Sequence, residues 1–229
     1  MDVRVISIGT LPAHPLWGER TQERTGHATS TLIRSGDRVV LVDPGLPEAA
    51  ISARLSERAG LKPQAVTDVF LTSFRPDVRR GIAAFSDAQW WIHEPEREQV
   101  GVLLAQRLRE VARSNDSGED NIREVLRQDV AILQRCKPAP DKLAEQIDLF
   151  PLPGYTPGLC GLLIAGSRHT TVICGDAVAT FEHLEQGMVL AGCVDVEQAR
   201  ESFKEVVEIA DLLILGRDNL VVNPMRRNV

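Results

Sequence analysis

The sequence lacks the features that mark several specialised classes of protein. Its 229 residues contain no apolar run of about 18 or more, which argues against a membrane-spanning helix. The N-terminus, with an acidic residue at position 2, lacks the basic-then-apolar order of a secretory signal, so we expect a cytoplasmic protein. The four cysteines form no C-x-x-C pair, and the net charge of −6 argues against a nucleic-acid partner.

What is present is typical of a soluble globular protein. Hydrophobic residues make up 43% of the chain and charged residues 25%. A chain of this length buries a substantial core without disulfides or structural metals. We find no internal repeat and no low-complexity tract, and we predict a single domain over residues 1–229.

Hydrophobic patterning predicts an α/β protein whose strands fall into two groups. The predicted strands are 3–8, 29–33, 39–42, 69–71, 90–92, 147–152, 162–165, 171–174 and 212–215. The predicted helices are 47–60, 95–136 with a break at 114–118, and 196–210. Two strand-rich halves suggest two packed sheets with helices outside, although periodicity alone does not select this layout over other α/β arrangements.

Five segments occur in an order that resembles one known family. They are Leu41–Gly45 (LVDPG), Leu71–Gly81 (LTSFRPDVRRG), Pro153–Gly158 (PGYTPG), Cys174–Ala177 (CGDA) and Leu215–Asp218 (LGRD). They resemble the LVDTG, LTHxHxDHxGG, PGHTPG, sGDa and PGHD signatures of the metallo-β-lactamase superfamily. This resemblance covers nearly the whole chain and implies an αββα sandwich of two mixed β-sheets flanked by helices. It places the active site along one edge, between the sheets.

The chain departs from the family at the metal ligands. The resemblance implies seven ligand positions, five histidines and two aspartates, which hold two metal ions. Here the histidine positions hold Ser73, Arg75, Val78, Tyr155 and Arg217, and the aspartate positions keep Asp77 and Asp176. We expect these seven residues to line the cleft.

The residues at these positions are poor metal ligands. Guanidinium offers no lone pair, valine offers nothing, and serine and tyrosine bind zinc weakly at neutral pH. We therefore expect no cofactor, and at most a weak magnesium or calcium ion at Asp77 and Asp176. The alternatives are zinc or another divalent metal on non-standard ligands, or a relocated site that involves His27 and His183.

Loss of the metals would leave two aspartates without cations in a partly buried cleft, which costs several kcal/mol. We predict that Arg75 and Arg217 point into the cleft and pair with Asp77 or Asp176. The alternative is a basic loop, because two further arginines follow Arg75, with Arg75 itself solvated.

Two functions remain open at this point. The first is a non-catalytic or repurposed hydrolase homologue whose cleft binds a small anionic ligand or a protein. The second is an active metal-dependent hydrolase of an ester, lactone, amide or thioester. Ser73, Asp77 and Tyr155 are weak catalytic candidates, because no histidine is placed as a base for Ser73 and nearby arginines would lower the pKa of Asp77. A helical insertion at about 95–140 would cap the cleft, form a homodimer interface or pack on its own sheet.

Overall fold

The computed structural model describes residues 1–113 and 120–226. Within these residues, twelve strands form two six-stranded sheets, one in the order β1-β2-β3-β4-β5-β6 and one in the order β12-β11-β10-β9-β8-β7. The first sheet contains β1 (Asp2–Ser7), β2 (Ser30–Ser35), β3 (Arg38–Val42), β4 (Asp68–Leu71), β5 (Gln89–Ile92) and β6 (Lys137–Pro138). The second contains β7 (Lys142–Ala144), β8 (Ile147–Pro151), β9 (Cys160–Ala165), β10 (Thr170–Ile173), β11 (Leu212–Ile214) and β12 (Leu220–Val222).

Helices cover the outer face of each sheet. They are α1 (Glu48–Ala59), α2 (Pro76–Arg79), α3 (Glu94–Arg113), α4 (Asp120–Arg135), α5 (Phe181–Gln186) and α6 (Val196–Ile209). Hydrophobic side chains of α1, α3 and α4 pack on the first sheet, and those of α5 and α6 pack on the second. No helix of the described residues is both long and apolar enough to cross a membrane.

Alternation along the strands builds the layers, because successive side chains of a strand point to opposite faces. In β3, Val40 and Val42 face the second sheet, whereas Leu41 faces the helices. In β4, Phe70 faces the second sheet and Leu71 faces the helices. Both sheets contain parallel and antiparallel pairs, so the predicted αββα sandwich of two mixed sheets is confirmed.

The predicted helical stretch at about 95–140 forms α3 and α4, and the predicted break at 114–118 lies outside the described residues. Helical structure ends at Arg135, within one residue of the predicted end at 136, and Lys137–Pro138 then pairs with β5 as an edge strand. Leu104 and Val111 are buried against the core of the first sheet, whereas Leu103 is 57% exposed. The two helices therefore pack mainly on their own sheet.

The carboxyl ends of β8, β10 and β11 lie at one edge of the second sheet, because β8 and β10 are both antiparallel to β9 and β10 is parallel to β11. The loop after β4 meets this edge through a hydrogen bond from the Cys160 amide to the Thr72 carbonyl at 3.0 Å. Buried Glu96 of α3 joins the loops further, accepting hydrogen bonds from the amides of Phe74 at 3.0 Å and Gly158 at 3.1 Å.

This junction predicts opposite effects for two glycine substitutions. A Cβ at Gly158 would overlap the backbone of Glu96, so we expect Gly158→Ala to lower the free energy of unfolding by about 1–3 kcal/mol or more. Gly101→Ala in α3 meets only Leu133 Cδ2 at 3.8 Å and should raise it by about 0.5–1 kcal/mol through helix propensity. Urea unfolding of both variants measures the difference. Equal stability of the two variants would contradict the described loop contact.

Candidate functional site

A buried guanidinium lies at the centre of the strand-end loops. Arg217 follows β11, and its side chain is 1% exposed. Its Nε and Nη2 donate to Asp176 Oδ1 and Oδ2, both at 2.7 Å, which is the bidentate arrangement. Its Nη1 donates to Asp77 Oδ2 at 2.6 Å. One arginine thus joins the turn after β10 to the loop after β4.

A second arginine lies on the solvent side of this centre. The Nε of Arg75 is 3.4 Å from Asp77 Oδ1 and 3.9 Å from Asp176 Oδ2. The Arg75 guanidinium carbon lies 5.1 Å from the centre of the Tyr155 ring, and the Arg75 side chain is 41% exposed. Both arginines therefore lie beside the aspartates, as predicted from the sequence, and Arg75 is not simply solvated.

These groups border a small cleft of about 180 Å³. Its charged and polar side is formed by Arg75, Asp77, Tyr155 and Arg217. Its apolar side is formed by Leu11, Pro12, Ala13, Pro15, Leu190 and Ala191. Neither α3 nor α4 lines this cleft, so the part of the helical segment that the structure describes does not cap it.

Three of the seven expected cleft residues do not line it. Asp176 is buried behind Arg217, and Ser73 is fully buried. The Ser73 hydroxyl has no hydrogen-bond partner within the described residues. Val78 belongs to the hydrophobic core between the first sheet and its helices, as its apolar side chain favours. These placements correct the sequence-based expectation.

The charges shift the pKa values of the site. Burial alone would raise the pKa of Asp77, but the Arg217 guanidinium holds it below its ordinary value. Burial opposes protonation of Arg217, yet Asp176 and Asp77 raise its pKa further above the physiological range. Burial and the negative charge of Asp176 raise the pKa of Tyr155 to about 12. At neutral pH the site is therefore a set of fixed ion pairs beside an un-ionised phenol.

The donor set does not fit a zinc or dizinc centre. Both oxygens of Asp176 and one oxygen of Asp77 accept from Arg217, and zinc needs three or four lone-pair donors in tetrahedral array. Within residues 1–113 and 120–226, no group of three or more histidine, cysteine or acidic side chains is placed to hold a metal ion. His27 and His183 therefore form no relocated ligand set in that part of the chain.

Asp43, in the LVDPG segment, is a further buried acidic residue beside the site. It is 2% exposed, has a φ of 52°, and accepts hydrogen bonds from the Thr72 amide at 2.8 Å and the Thr72 hydroxyl at 2.7 Å. Burial raises its pKa to about 7, with a further upward contribution from Asp176. A third carboxyl group, which is buried, thus lies near the ion pairs, with a pKa far above its ordinary value.

The apolar side of the cleft was not predicted from the sequence. Its N-terminal part, residues 11–15, is attached to the rest of the protein through His14. His14 Nε2 lies 3.0 Å from Thr180 Oγ1 and 3.3 Å from Glu182 Oε2. Its ring stacks on Trp17 at 4.2 Å between ring centres. These contacts attach the N-terminal segment to the start of α5. No sequence signal could have found them, because His14 and Thr180 are far apart in the chain and neither belongs to a motif.

Comparison with known proteins places the sequence in one family. Residues 24–212 match the sequence model of the family described as the metallo-beta-lactamase superfamily. No curated protein matches the chain.

Solved structures share the fold at low identity. A probable metal-dependent hydrolase from Staphylococcus aureus has a TM-score of 0.70 at 14% identity, covering 96% of this chain and 91% of that one. The hydrolase AbOPH, described as in the beta lactamase superfamily, has a TM-score of 0.63 at 16% identity, covering 92% of this chain and 84% of that one. AidC, a dizinc quorum-quenching lactonase in complex with a product, has a TM-score of 0.62 at 18% identity, covering 82% and 70%. Identities this low show a common fold alone.

The raised pKa of Asp43 predicts a specific pH dependence. The pKa of Asp43 in the folded protein, about 7, exceeds its ordinary value of 3.8. The protonated carboxyl therefore contributes its full stabilisation below pH 3.8, and this contribution is lost as the pH rises through 7. We expect wild type to lose stability relative to Asp43→Asn by about 1.4 kcal/mol per pH unit within that window. Urea unfolding of both proteins from pH 4.5 to 8 gives the difference, in which other titrating groups cancel. A pH-independent difference would contradict the assignment.

The Arg217 ion pairs predict a large effect of one substitution and its partial reversal by a second. Arg217→Gln removes the three hydrogen bonds to Asp176 and Asp77 and leaves part-exposed Arg75 as the nearest cation to these carboxylates, so it should lower the free energy of unfolding by about 3–5 kcal/mol. Adding Asp176→Asn removes one of these charges and should recover at least about 1 kcal/mol. Arg80→Gln, at an exposed arginine outside the cleft, is the matched control and should change stability by less than about 0.5 kcal/mol. Equal losses in the single and double variants would contradict the described pairing.

Proposed function

This chain belongs to the metallo-β-lactamase superfamily, and we propose that it acts there as a metal-free binding protein for a small anionic ligand rather than as a hydrolase. The observation that carries the proposal is the bidentate pairing of Arg217 with Asp176, together with its bond to Asp77. Arginine occupies a position at which the family resemblance implies a metal-ligating histidine. The guanidinium then supplies the positive charge that an inorganic cation would supply.

Charge balance supports this exchange. The four central groups are Arg75, Arg217, Asp77 and Asp176, and their formal charges sum to zero with both arginines protonated. Two carboxylates buried without a cation would cost several kcal/mol. Because each aspartate already has a guanidinium partner, a metal ion would have to displace an ion pair before it bound.

The remaining polar groups are poor catalysts of hydrolysis. A general base works best with a pKa near the operating pH, and the pKa of Asp77 lies below its ordinary value. The Tyr155 phenol, with a pKa of about 12, is also a weak base or nucleophile at neutral pH. Among the described residues no histidine hydrogen-bonds the buried Ser73 hydroxyl, so Ser73 has no base to activate it as a nucleophile. These features favour binding over turnover.

The alternative is an active metal-dependent hydrolase of an ester, lactone, amide or thioester. The fold likeness to a dizinc lactonase favours it, and it would need zinc or another divalent metal on non-standard ligands. A protein ligand for the cleft and a homodimer both stay predictions from the sequence.

Metal content and turnover measured on one preparation distinguish the two functions. We expect the dialysed wild-type protein to contain far less than one equivalent of zinc, iron or manganese. We also expect no chelator-sensitive hydrolysis of a panel of ester, lactone, amide and thioester substrates. About two equivalents of metal with chelator-sensitive turnover would establish the alternative.

A cation-rescue experiment tests the role of Arg217 directly. In Arg217→Gln the two carboxylates lose their hydrogen-bonded partner and keep only Arg75, so one negative charge is left unbalanced, and millimolar Mg²⁺ or Ca²⁺ should raise the melting temperature of this variant. Wild type, and Arg217→Gln combined with Asp176→Asn, should show no such increase. Stabilisation of wild type by these ions to the same extent would contradict the proposal.

A further inference from the structure

We propose that the ligand of this cleft is a small monocarboxylate with an apolar body, held at its carboxylate by Arg75; this inference rests on the proposed binding function. The observation behind it is the difference between the two arginines. Arg217 is buried, and its three nitrogens all donate to aspartates. Arg75 is part-exposed and borders the cleft.

Arg75 has hydrogen-bonding capacity that the protein does not use. Its Nε has no hydrogen-bond partner, and its two terminal nitrogens make no hydrogen bond to any residue that the structure describes. The Tyr155 ring beneath the guanidinium, at 5.1 Å, supports its plane. A planar guanidinium fork matches a carboxylate in two parallel hydrogen bonds. The geometry thus favours a carboxylate head group.

The surrounding charges favour a single negative charge on the ligand. Asp77 and Asp176 lie 3.4 Å and 3.9 Å from the Arg75 Nε, so they already neutralise part of the guanidinium charge. A dianion such as phosphate would be repelled by both carboxylates, and only one arginine has free donors to offset this. A monocarboxylate meets less repulsion and uses the same donors.

The opposite side of the cleft favours an apolar ligand body. Leu11, Pro12, Pro15 and Leu190 line it with hydrocarbon, and burial of apolar ligand surface contributes about 25 cal/mol per Å². The volume of about 180 Å³ is below the range of roughly 300–1,000 Å³ of pockets for drug-sized ligands, so the body must be short. Together, the two sides describe a short aliphatic acid.

The single tyrosine of the chain provides a reporter at the site. Tyr155 is the only tyrosine, so protein with isotope-labelled tyrosine gives one set of ring signals. We would titrate this protein with 4-methylpentanoate, with its uncharged amide 4-methylpentanamide, with acetate and with inorganic phosphate. We expect 4-methylpentanoate to move the ring signals and to bind at least tenfold more tightly than each of the other three.

Variants locate the binding group. Arg75→Gln should weaken binding of 4-methylpentanoate at least tenfold, and Arg75→Lys should restore part of it, because lysine keeps the charge and loses the fork. Arg80→Gln makes the same charge change at an exposed arginine that does not line the cleft, so it should leave the affinity for 4-methylpentanoate unchanged. Melting temperatures of all variants establish that they are folded, and the comparison of carboxylate with amide on wild type needs no variant.

Several results would overturn the inference. They are equal binding of the acid and its amide, tighter binding of phosphate, an unchanged affinity in folded Arg75→Gln, or no response of Tyr155 to the acid up to its solubility limit. Failure of the proposed function has a separate signature, since it would show as bound metal and chelator-sensitive turnover in the same preparation. Metal-free protein that binds none of the four probes would overturn only the ligand class.

Discussion

The ion pairs of Arg217 are the interaction on which the rest of the site depends. They connect loops from both sheets, because Asp77 follows β4 whereas Asp176 and Arg217 follow β10 and β11. Buried charges are stabilised when they are paired and hydrogen-bonded, and Arg217 donates to three of the four carboxylate oxygens of Asp77 and Asp176. The position of Arg75, and therefore the shape of the cleft, follows from where these two carboxylates are held.

Arginine suits this position for reasons of geometry as well as charge. Its fork bonds both oxygens of Asp176 at once, which a lysine ammonium, as a point charge, does not do in the same way. Backbone hydrogen bonds also connect the segment after Asp176 to the strand end that carries Arg217: the Gly216 amide donates to the Val178 carbonyl at 3.0 Å, and the Arg217 amide donates to the Ala179 carbonyl at 2.7 Å. The ionic centre therefore lies among hydrogen-bonded strand ends and does not depend on side-chain pairing alone.

The sequence predicted the strands and helices that have a clear hydrophobic pattern, and the site residues that occupy recognisable motif positions. Strands such as β3 and β4 were found because they are short, continuous apolar runs, and the long helices were found because their helical period is visible in the chain. The short edge strands β6, β7 and β12 were missed, since two or three residues carry no period and pairing with a neighbour defines them. The arginine–aspartate centre followed from motif positions and electrostatics. Burial of Ser73 and the contact of His14 with Thr180 arise only from tertiary packing.

In the proposed function a guanidinium replaces a metal ion. This replacement affects anion binding and catalysis of hydrolysis differently. Metal ion and guanidinium are both cations that neutralise Asp77 and Asp176, so the fold and its loops keep their electrostatic balance. A metal ion also acts as a Lewis acid, which lowers the pKa of a bound water and so creates a nucleophile at neutral pH. Guanidinium has no vacant coordination position and keeps its proton, so it hydrogen-bonds an anion without activating water. A site built on Arg75 and Arg217 therefore retains the ability to hold a negatively charged ligand while it gives up the usual route to hydrolysis.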